Sequence, residues 1–194
     1  MDILFASNNQ GKLTEVKSIL ADLPITLRSP TEFPQSDSLE VAETAKTLNG
    51  NALLKAKTFA ELTGLVTIAD DTGLKIKALH GFPGVNSHRW FEGNDSERNQ
   101  ALLRKTKDLK KRQASFVTVI CLYDPKKAEA KYFQGEMSGK ISKQELGSEG
   151  FGYDAIFIPE GYQKTLAQMG LKIKNKLSHR AKALRKLKDY LAAN

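Results

Sequence analysis

The stretch Leu65-Val66-Thr67-Ile68-Ala69-Asp70-Asp71-Thr72-Gly73-Leu74 decides how this chain is read. Leu65–Ala69 has the length and β-branched content of a buried strand, with Gly64 and Gly73 as breaks on either side, which predicts two adjacent carboxylates at a strand end. Successive strand side chains point to opposite faces, so Asp70 and Asp71 cannot both face one ligand if the strand stays regular through them. One acid is expected to carry chemistry and the other structure. Asp-Asp-Thr-Gly is also good turn chemistry by itself, so the pair gains meaning only from the rest of the chain.

Working outward toward the N-terminus, the segment from Glu43 to Gly64 reads as a helix. At roughly 100° per residue, Leu48, Ala52, Ala56, Phe59 and Leu62 share one stripe, and Lys55 falls within it. A lysine there either snorkels to solvent or meets a buried anion. Glu43 is a metal-ligand candidate if it lies close to Asp71. Pro24–Ser38 reads as an extended segment and loop. Ile3–Ala6 predicts a first strand, and Leu13, Val16, Leu20 and Leu23 repeat at helical spacing after it. Between them, Ser7-Asn8-Asn9-Gln10-Gly11-Lys12 turns from strand to helix through small polar residues. Such a turn presents backbone N–H groups and the positive end of the helix dipole beside a lysine, a phosphate grip or else an ordinary capped helix start. The Walker A spacing is absent.

Toward the C-terminus, Leu79–Trp90 is punctuated by Gly and Pro, and its His80 and His88 lack companions for a zinc set. Asn94–Lys107 predicts a surface helix. Ser115–Tyr123 predicts a strand, Asp124–Lys127 a turn, and Ala128–Gly135 the returning strand of a hairpin. In Gly150-Phe151-Gly152-Tyr153-Asp154, two glycines flank an aromatic before a second ring and an acid. That pattern suits a stacked and edge-read base, or aromatics entering a core strand through Ile156-Phe157-Ile158. The chain closes with Lys172–Arg180 and a helix whose buried stripe is Leu184, Leu187 and Leu191. Ser178 is a fitting N-cap, which places His179 and Arg180 in a first helical turn, where the dipole disfavours cations. Local rules are broken most often at functional sites.

Composition bounds the rest. The 194 residues suffice for one substantial core, and no low-complexity linker divides them. The single Cys121 sits in an apolar run and forms no internal disulfide, as in a reducing cytoplasm, and no stretch is apolar enough for a membrane span. Net charge is +8, from 30 Lys plus Arg against 22 Asp plus Glu, with basic clusters at Arg104–Arg112 and Lys172–Lys188. Such clusters point to a polyanionic partner, from a nucleoside triphosphate to a nucleic acid, or are simply solvated helix faces.

Taken in order, Ser7–Lys12, Glu43 with Asn51-Ala52 and Lys55-Ala56, Ala69–Leu74, Pro83-Gly84-Val85, Phe151–Asp154 and Ser178-His179-Arg180 resemble the motifs of the inosine/xanthosine triphosphate pyrophosphatase family. The resemblance covers almost the whole chain. It implies an α/β fold with a mixed, long twisted β-sheet and helical lobes on either side of a nucleotide-binding cleft, as one domain over residues 1–194 and as a homodimer. It also implies hydrolysis of ITP, dITP and XTP to monophosphate and pyrophosphate with Mg²⁺ in the cytoplasm, clearing deaminated purines from the nucleotide pool. Residue by residue, Ser7, Asn8, Asn9, Gln10, Gly11 and Lys12 would hold the triphosphate together with Lys55, while Glu43 and Asp71 would serve the metal. Asp71 would also accept the proton of the attacking water, with Thr72 at the substrate. Phe151 and Tyr153, around Gly152, would pack on the purine, and Asp154, Lys174, His179 and Arg180 would read its edge.

Asn8, Thr72, Ala155 and Gln168 depart from the commonest residues of that family at their positions; Thr72 keeps a hydroxyl, and Asn8 tolerates a left-handed backbone. Two rivals follow from the same residues. One is a related pyrophosphatase acting on other modified nucleotides. The other is a nucleic-acid-binding protein whose basic C-terminal helix tracks phosphates, which leaves the acid pair, Lys55 and the aromatic motif unused. The pyrophosphatase reading predicts no stable nucleic-acid complex and no membrane partner.

Overall fold

The computed structural model describes residues 1–36 and 39–193, Leu171 by its backbone only. Its strands are β1 (Asp2–Phe5), β2 (Thr26–Arg28), β3 (Val66–Ile76), β4 (Pro83–Gly84), β5 (Gln113–Asp124), β6 (Glu129–Ile141) and β7 (Phe157–Pro159). Its helices are α1 (Gln10–Leu20), α2 (Leu48–Thr63), α3 (Asp95–Thr106), α4 (Leu166–Leu177) and α5 (His179–Ala192). The strands form one mixed sheet in the order β2-β1-β3-β5-β6-β7, with β4 added to β3. β1 is parallel to β2 and β3, whereas β3–β4 and β6–β7 are antiparallel. Among the described residues no helix is long and apolar enough to cross a membrane.

The chain divides into two compact units, and the division falls inside β3, β5 and β6 and between His179 and Arg180. The first unit contains residues 1–71, 118–135 and 180–194. Its core joins Ile3 and Phe5 of β1, Leu13, Val16 and Leu20 of α1, Ile68 of β3, Ile120 and Leu122 of β5 and Ala183, Leu184 and Leu187 of α5. The second unit contains residues 72–117 and 136–179, around Leu74, Leu102, Phe116, Met137, Tyr153, Phe157 and Leu166. Phe116 packs against Phe157 with ring centroids 4.6 Å apart. Cys121 is buried in β5, where burial pushes its thiol up to about 12 and leaves it an inert core residue.

Helix ends follow local chemistry. The side chains of Asn9, Thr47, Asn94 and Thr165 each accept from the backbone N–H three residues on, and Glu97 and Gln168 return the bond to Asn94 and Thr165. Gln168 is thereby accounted for as a capping residue. Gly64 ends α2 in the left-handed conformation (φ 71°) that only glycine enters without steric cost.

Several boundaries differ from the sequence-based expectation. β3 does not stop before the acids but runs through Asp70, Asp71, Thr72 and Gly73 to Ile76. α2 begins at Leu48, so Glu43 lies in the preceding loop, and Leu62 faces solvent at 40% exposure instead of joining the buried stripe. Pro24–Ser38 contains β2 and two short 3₁₀ turns, while Asp37 and Ser38 lie outside the described residues. Lys172–Leu177 is helical within α4, after a non-helical Gly170. Asn8 is not among the residues with positive φ, so its position makes no demand for glycine.

Leu184→Ala, in the fully buried stripe of α5, is expected to cost about 3 kcal/mol and to lower Tm by roughly 6–12 °C in a thermal melt. Leu62→Ala should stay within about 0.5 kcal/mol, and an equal loss for both would restore Leu62 to the core.

Candidate active site

In the first unit the functional side chains converge on the middle of β3. Asp70, 2% exposed, receives Lys12 Nζ at 2.9 Å and Arg180 Nε at 3.2 Å, and Arg180 also donates to Glu15 at 2.5 Å. α1 supplies Lys12 and Glu15, and α5 supplies Arg180 from its first turn. Burial by itself would raise the Asp70 carboxyl, but Lys12, Arg180 and Lys55 outweigh it and hold it far below the usual carboxylate range. Lys12 shares that crowding: burial, with Lys55 and Arg180 nearby, lowers its ammonium below the ordinary lysine value despite Asp70. Asp70 is therefore a permanent anion inside a cationic cage.

Asp71 points the other way, as strand alternation requires. Its Oδ2 accepts from Asn51 Nδ2 at 3.0 Å, and Asn51 Oδ1 accepts from the Ala45 N–H at 2.9 Å, tying the loop before α2 to β3. Lys55 Nζ donates to Glu43 at 2.5 Å and to the Asp70 backbone carbonyl at 2.6 Å, so the lysine of the helical stripe meets one partly buried carboxylate and one neutral carbonyl. Burial, with the Glu43 charge adding to it, pushes the Asp71 carboxyl up to about 6, against the opposing pull of Lys55 and the Asn51 bond. A carboxyl poised there can take a proton near neutral pH, which Asp70 cannot. Among the described residues no group of three or more His, Cys, Asp or Glu could hold a metal ion. Glu43 and Asp71 are two mutually repelling carboxylates, the sparse oxygen donor set that suits Mg²⁺ when waters and substrate phosphates complete the shell.

The strand-to-helix turn lies in the same unit. Asn9 caps α1 by accepting from the Lys12 N–H at 3.0 Å, and its own N–H donates to Ser7 Oγ at 3.3 Å. Gln10 and Gly11 therefore form the first turn, where helix geometry directs N–H groups outward.

In the second unit Phe151 is half-buried between Gly150 (φ 84°) and Gly152 (φ 62°). Asp154 Oδ2 accepts from the Phe151 N–H at 2.9 Å and from Lys174 Nζ at 2.6 Å, and a Cβ at position 150 would lie 2.2 Å from that same oxygen. Gly150 is thus required by both its backbone and its neighbour. Lys174 Nζ sits 4.0 Å from the Phe151 ring centroid, an ammonium against a π face. The Gly152 peptide is clamped from both sides, its N–H donating to Asp95 at 2.6 Å and its carbonyl accepting from Asn99 at 3.0 Å.

Three of the expected base-contacting side chains are engaged within the protein. Tyr153 is a core residue: its hydroxyl accepts from Trp90 Nε1 at 2.6 Å and donates to the Ser87 carbonyl at 2.5 Å, and burial pushes it up to about 12. His179 is 3% exposed and stacks on Phe116 at 4.5 Å. Arg180 belongs to the first unit, where its guanidinium is engaged by Glu15 and Asp70 rather than offered to a base edge. Thr72 follows Asp71 in β3 and is half-buried. The Lys172–Lys188 cluster is no continuous cationic surface, because Lys174 and Arg180 are buried in ion pairs and Lys188 pairs with Asp22 at 2.6 Å. Sequence reading did not single out Glu15, Asp95 or Asn99. Asp95 and Asn99 stand one helical turn apart in α3, a signal visible only once their common target is known.

Fold and site together give a mixed α/β protein in which a raised carboxyl, Asp71, lies beside Asn51 and Lys55, an arrangement suited to a hydrolase. The model of the Ham1 family matches residues 3–190, and the chain belongs to that family. It is 42% identical over 192 residues to a dITP/XTP pyrophosphatase of Flavobacterium psychrophilum, covering 98% of each chain. It is 39% identical to a dITP/XTP pyrophosphatase of Aquifex aeolicus, covering 96% of this chain and 95% of that one. Among solved structures, a HAM1 protein from Coxiella burnetii superposes with a TM-score of 0.91 at 37% identity, covering 100% of both chains. The Staphylococcus aureus Ham1 protein gives 0.87 at 36% identity, over 100% of this chain and 99% of that one.

The two acids should separate in a thermal melt. Asp70→Asn leaves Lys12 and Arg180 short of their anion and is expected to cost about 3–5 kcal/mol. For Asp71 the sign is opposite: a carboxyl ionising near 3.8 unfolded and about 6 folded weakens the fold as pH rises through that window, by on the order of 2–3 kcal/mol above it. In chelator at pH 8, Asp71→Asn should therefore melt several degrees above the unsubstituted protein, with the gain gone by pH 4. Equal destabilisation by both substitutions would show that the roles are not divided.

Proposed function

We propose that this protein hydrolyses deaminated purine nucleoside triphosphates, dITP, ITP and XTP, to the monophosphate and pyrophosphate. The observation that carries the reading is the split between adjacent acids, Asp70 locked as an anion and Asp71 raised to about 6 beside Glu43 and Lys55. Membership of the Ham1 family and the names of the relatives support it. Water attacks the α-phosphorus, the bond from that phosphorus to the pyrophosphate oxygen breaks, and the water proton passes to the Asp71 carboxylate. Lys12, Lys55 and the N–H groups at the start of α1 stabilise charge on the phosphates and the leaving group. Glu43 and Asp71 would hold Mg²⁺, which supplies neutralisation of phosphate charge when bound.

The second unit carries groups that suit a purine base. Phe151 offers a stacking ring, and Lys174, held by Asp154, is a group that only donates. Hypoxanthine and xanthine carry a keto acceptor at position 6 where adenine carries an amine, so a donor there rejects adenine by leaving both partners unpaired. Arg180 acts one step back by fixing Asp70, and Asp95 and Asn99 act by fixing the Gly152 peptide. Homodimerisation and a cytoplasmic location belong to the same proposal and rest on the family resemblance.

Ion chromatography of products from a triphosphate panel tests this reading. With Mg²⁺, dITP should give dIMP and pyrophosphate, dATP should be a very poor substrate, and chelator should stop turnover. Orthophosphate as the first product would overturn the assignment. Asp71→Asn should lower kcat on the order of a thousandfold or more. Lys174→Met should narrow the dITP/dATP ratio in kcat/KM; an unchanged ratio would place base reading elsewhere.

A further inference from the structure

The second unit carries an open groove of about 1330 Å³ that the hydrolase reading leaves unused. Six lysines line it: Lys75 of β3, Lys77 in the turn that follows, Lys110 and Lys111 in the loop before β5, Lys140 near the end of β6 and Lys143 just beyond. All six are exposed, and among the described residues none is paired with a carboxylate. The acids lining the groove are Glu136 and Glu160. Arg112 serves the frame instead of the rim. Its guanidinium donates to the Ile141 and Ser142 carbonyls at 3.0 and 2.5 Å and to Thr106 Oγ1 at 3.0 Å, bracing the loop of Lys110 and Lys111 against the end of β6. The backbone that carries Lys110, Lys111, Lys140 and Lys143 is thus braced, while their side chains stay exposed and repel one another.

We propose that this groove binds a single-stranded polynucleotide, with its phosphates along the lysines. Charge selects a polyanion. Size selects an extended one, since the groove exceeds the roughly 300–1,000 Å³ of ordinary small-ligand pockets. A second copy of the same face would set six lysines against six, with Glu136 and Glu160 too few to offset them, so charge disfavours self-association there. Tyr162, 45% exposed in the lining, supplies an aromatic face for an unpaired base, which an inorganic polyphosphate or an acidic peptide would leave idle. The complex would be salt-sensitive and indifferent to sequence, because the six lysines are exposed and suit phosphates, which carry no sequence information. This inference does not rest on the pyrophosphatase reading.

Fluorescence anisotropy with labelled (dT)₁₂ and (U)₁₂, in chelator and from 20 to 300 mM salt, tests it. Binding in the micromolar range at low salt should weaken with a log–log salt slope of about −3 to −4, as four to six engaged phosphates require. The variant Lys110→Glu/Lys111→Glu/Lys140→Glu/Lys143→Glu should lose at least tenfold in affinity with its melting temperature and dITP hydrolysis unchanged, and Lys110→Gln/Lys111→Gln should lose less in the same direction. Tyr162→Ala should weaken oligonucleotide binding several-fold and leave competition by inorganic polyphosphate unaltered. Unchanged affinity in the lysine variants, or polyphosphate binding as tightly as the oligonucleotide with no effect of Tyr162→Ala, would overturn the proposal.

Discussion

The buried contact of Asp70 with Lys12 and Arg180 is the constraint on which the first unit depends. Each of these charges would be costly to bury alone, and the set is tolerable only because the partners satisfy one another at 2.9 and 3.2 Å, with Glu15 completing Arg180. The consequence is geometric. α1, β3 and α5 can pack their apolar faces together only in the arrangement that also closes these pairs, so the cluster fixes how Ile3, Val16, Ile68 and Leu184 meet. It also fixes where α1 begins, and with it the direction in which the first turn after Asn9 faces.

Strand alternation then turns one pair of identical residues into two chemical species. Asp70 is surrounded by cations and stays ionised; Asp71, one residue later and 6% exposed, is lifted toward neutrality by burial, with the Glu43 charge adding to it, against the pull of Lys55 and the Asn51 amide. Lys55 links the two environments by donating to both Glu43 and the Asp70 backbone. The division of labour needs no special residue type. It follows from a regular strand that turns one acid into a cage of cations and the next into a buried site with fewer compensating charges.

The second unit builds precision through the backbone instead. Asp95 and Asn99 grip the Gly152 peptide, and Asp154 collects the Phe151 N–H and Lys174, so a glycine-flanked loop that would otherwise be loose is held at both edges. The contrast with the lysine groove is instructive. There Arg112 is consumed by carbonyls and the surrounding lysines are left facing solvent, an arrangement in which rigidity and unspent charge coexist.

The sequence by itself determined the α/β class, a first strand around Ile3–Phe5, the hairpin on either side of Asp124–Lys127, the ordered motifs and the opposite facing of Asp70 and Asp71. These features depend on neighbours a few residues away, where periodicity, capping and turn chemistry operate. Tertiary structure decided that β3 passes through its acids, because the partners that make a buried Asp70 tolerable lie 58 and 110 residues away. It likewise moved Glu43 out of the helix and onto Lys55, sealed Tyr153 and His179 into packed rings, and drew Arg180 to Glu15, which lies 165 residues away. Local patterns state which face a side chain takes, but the free energy of burying a charge or a ring is set by what the rest of the chain brings to that face.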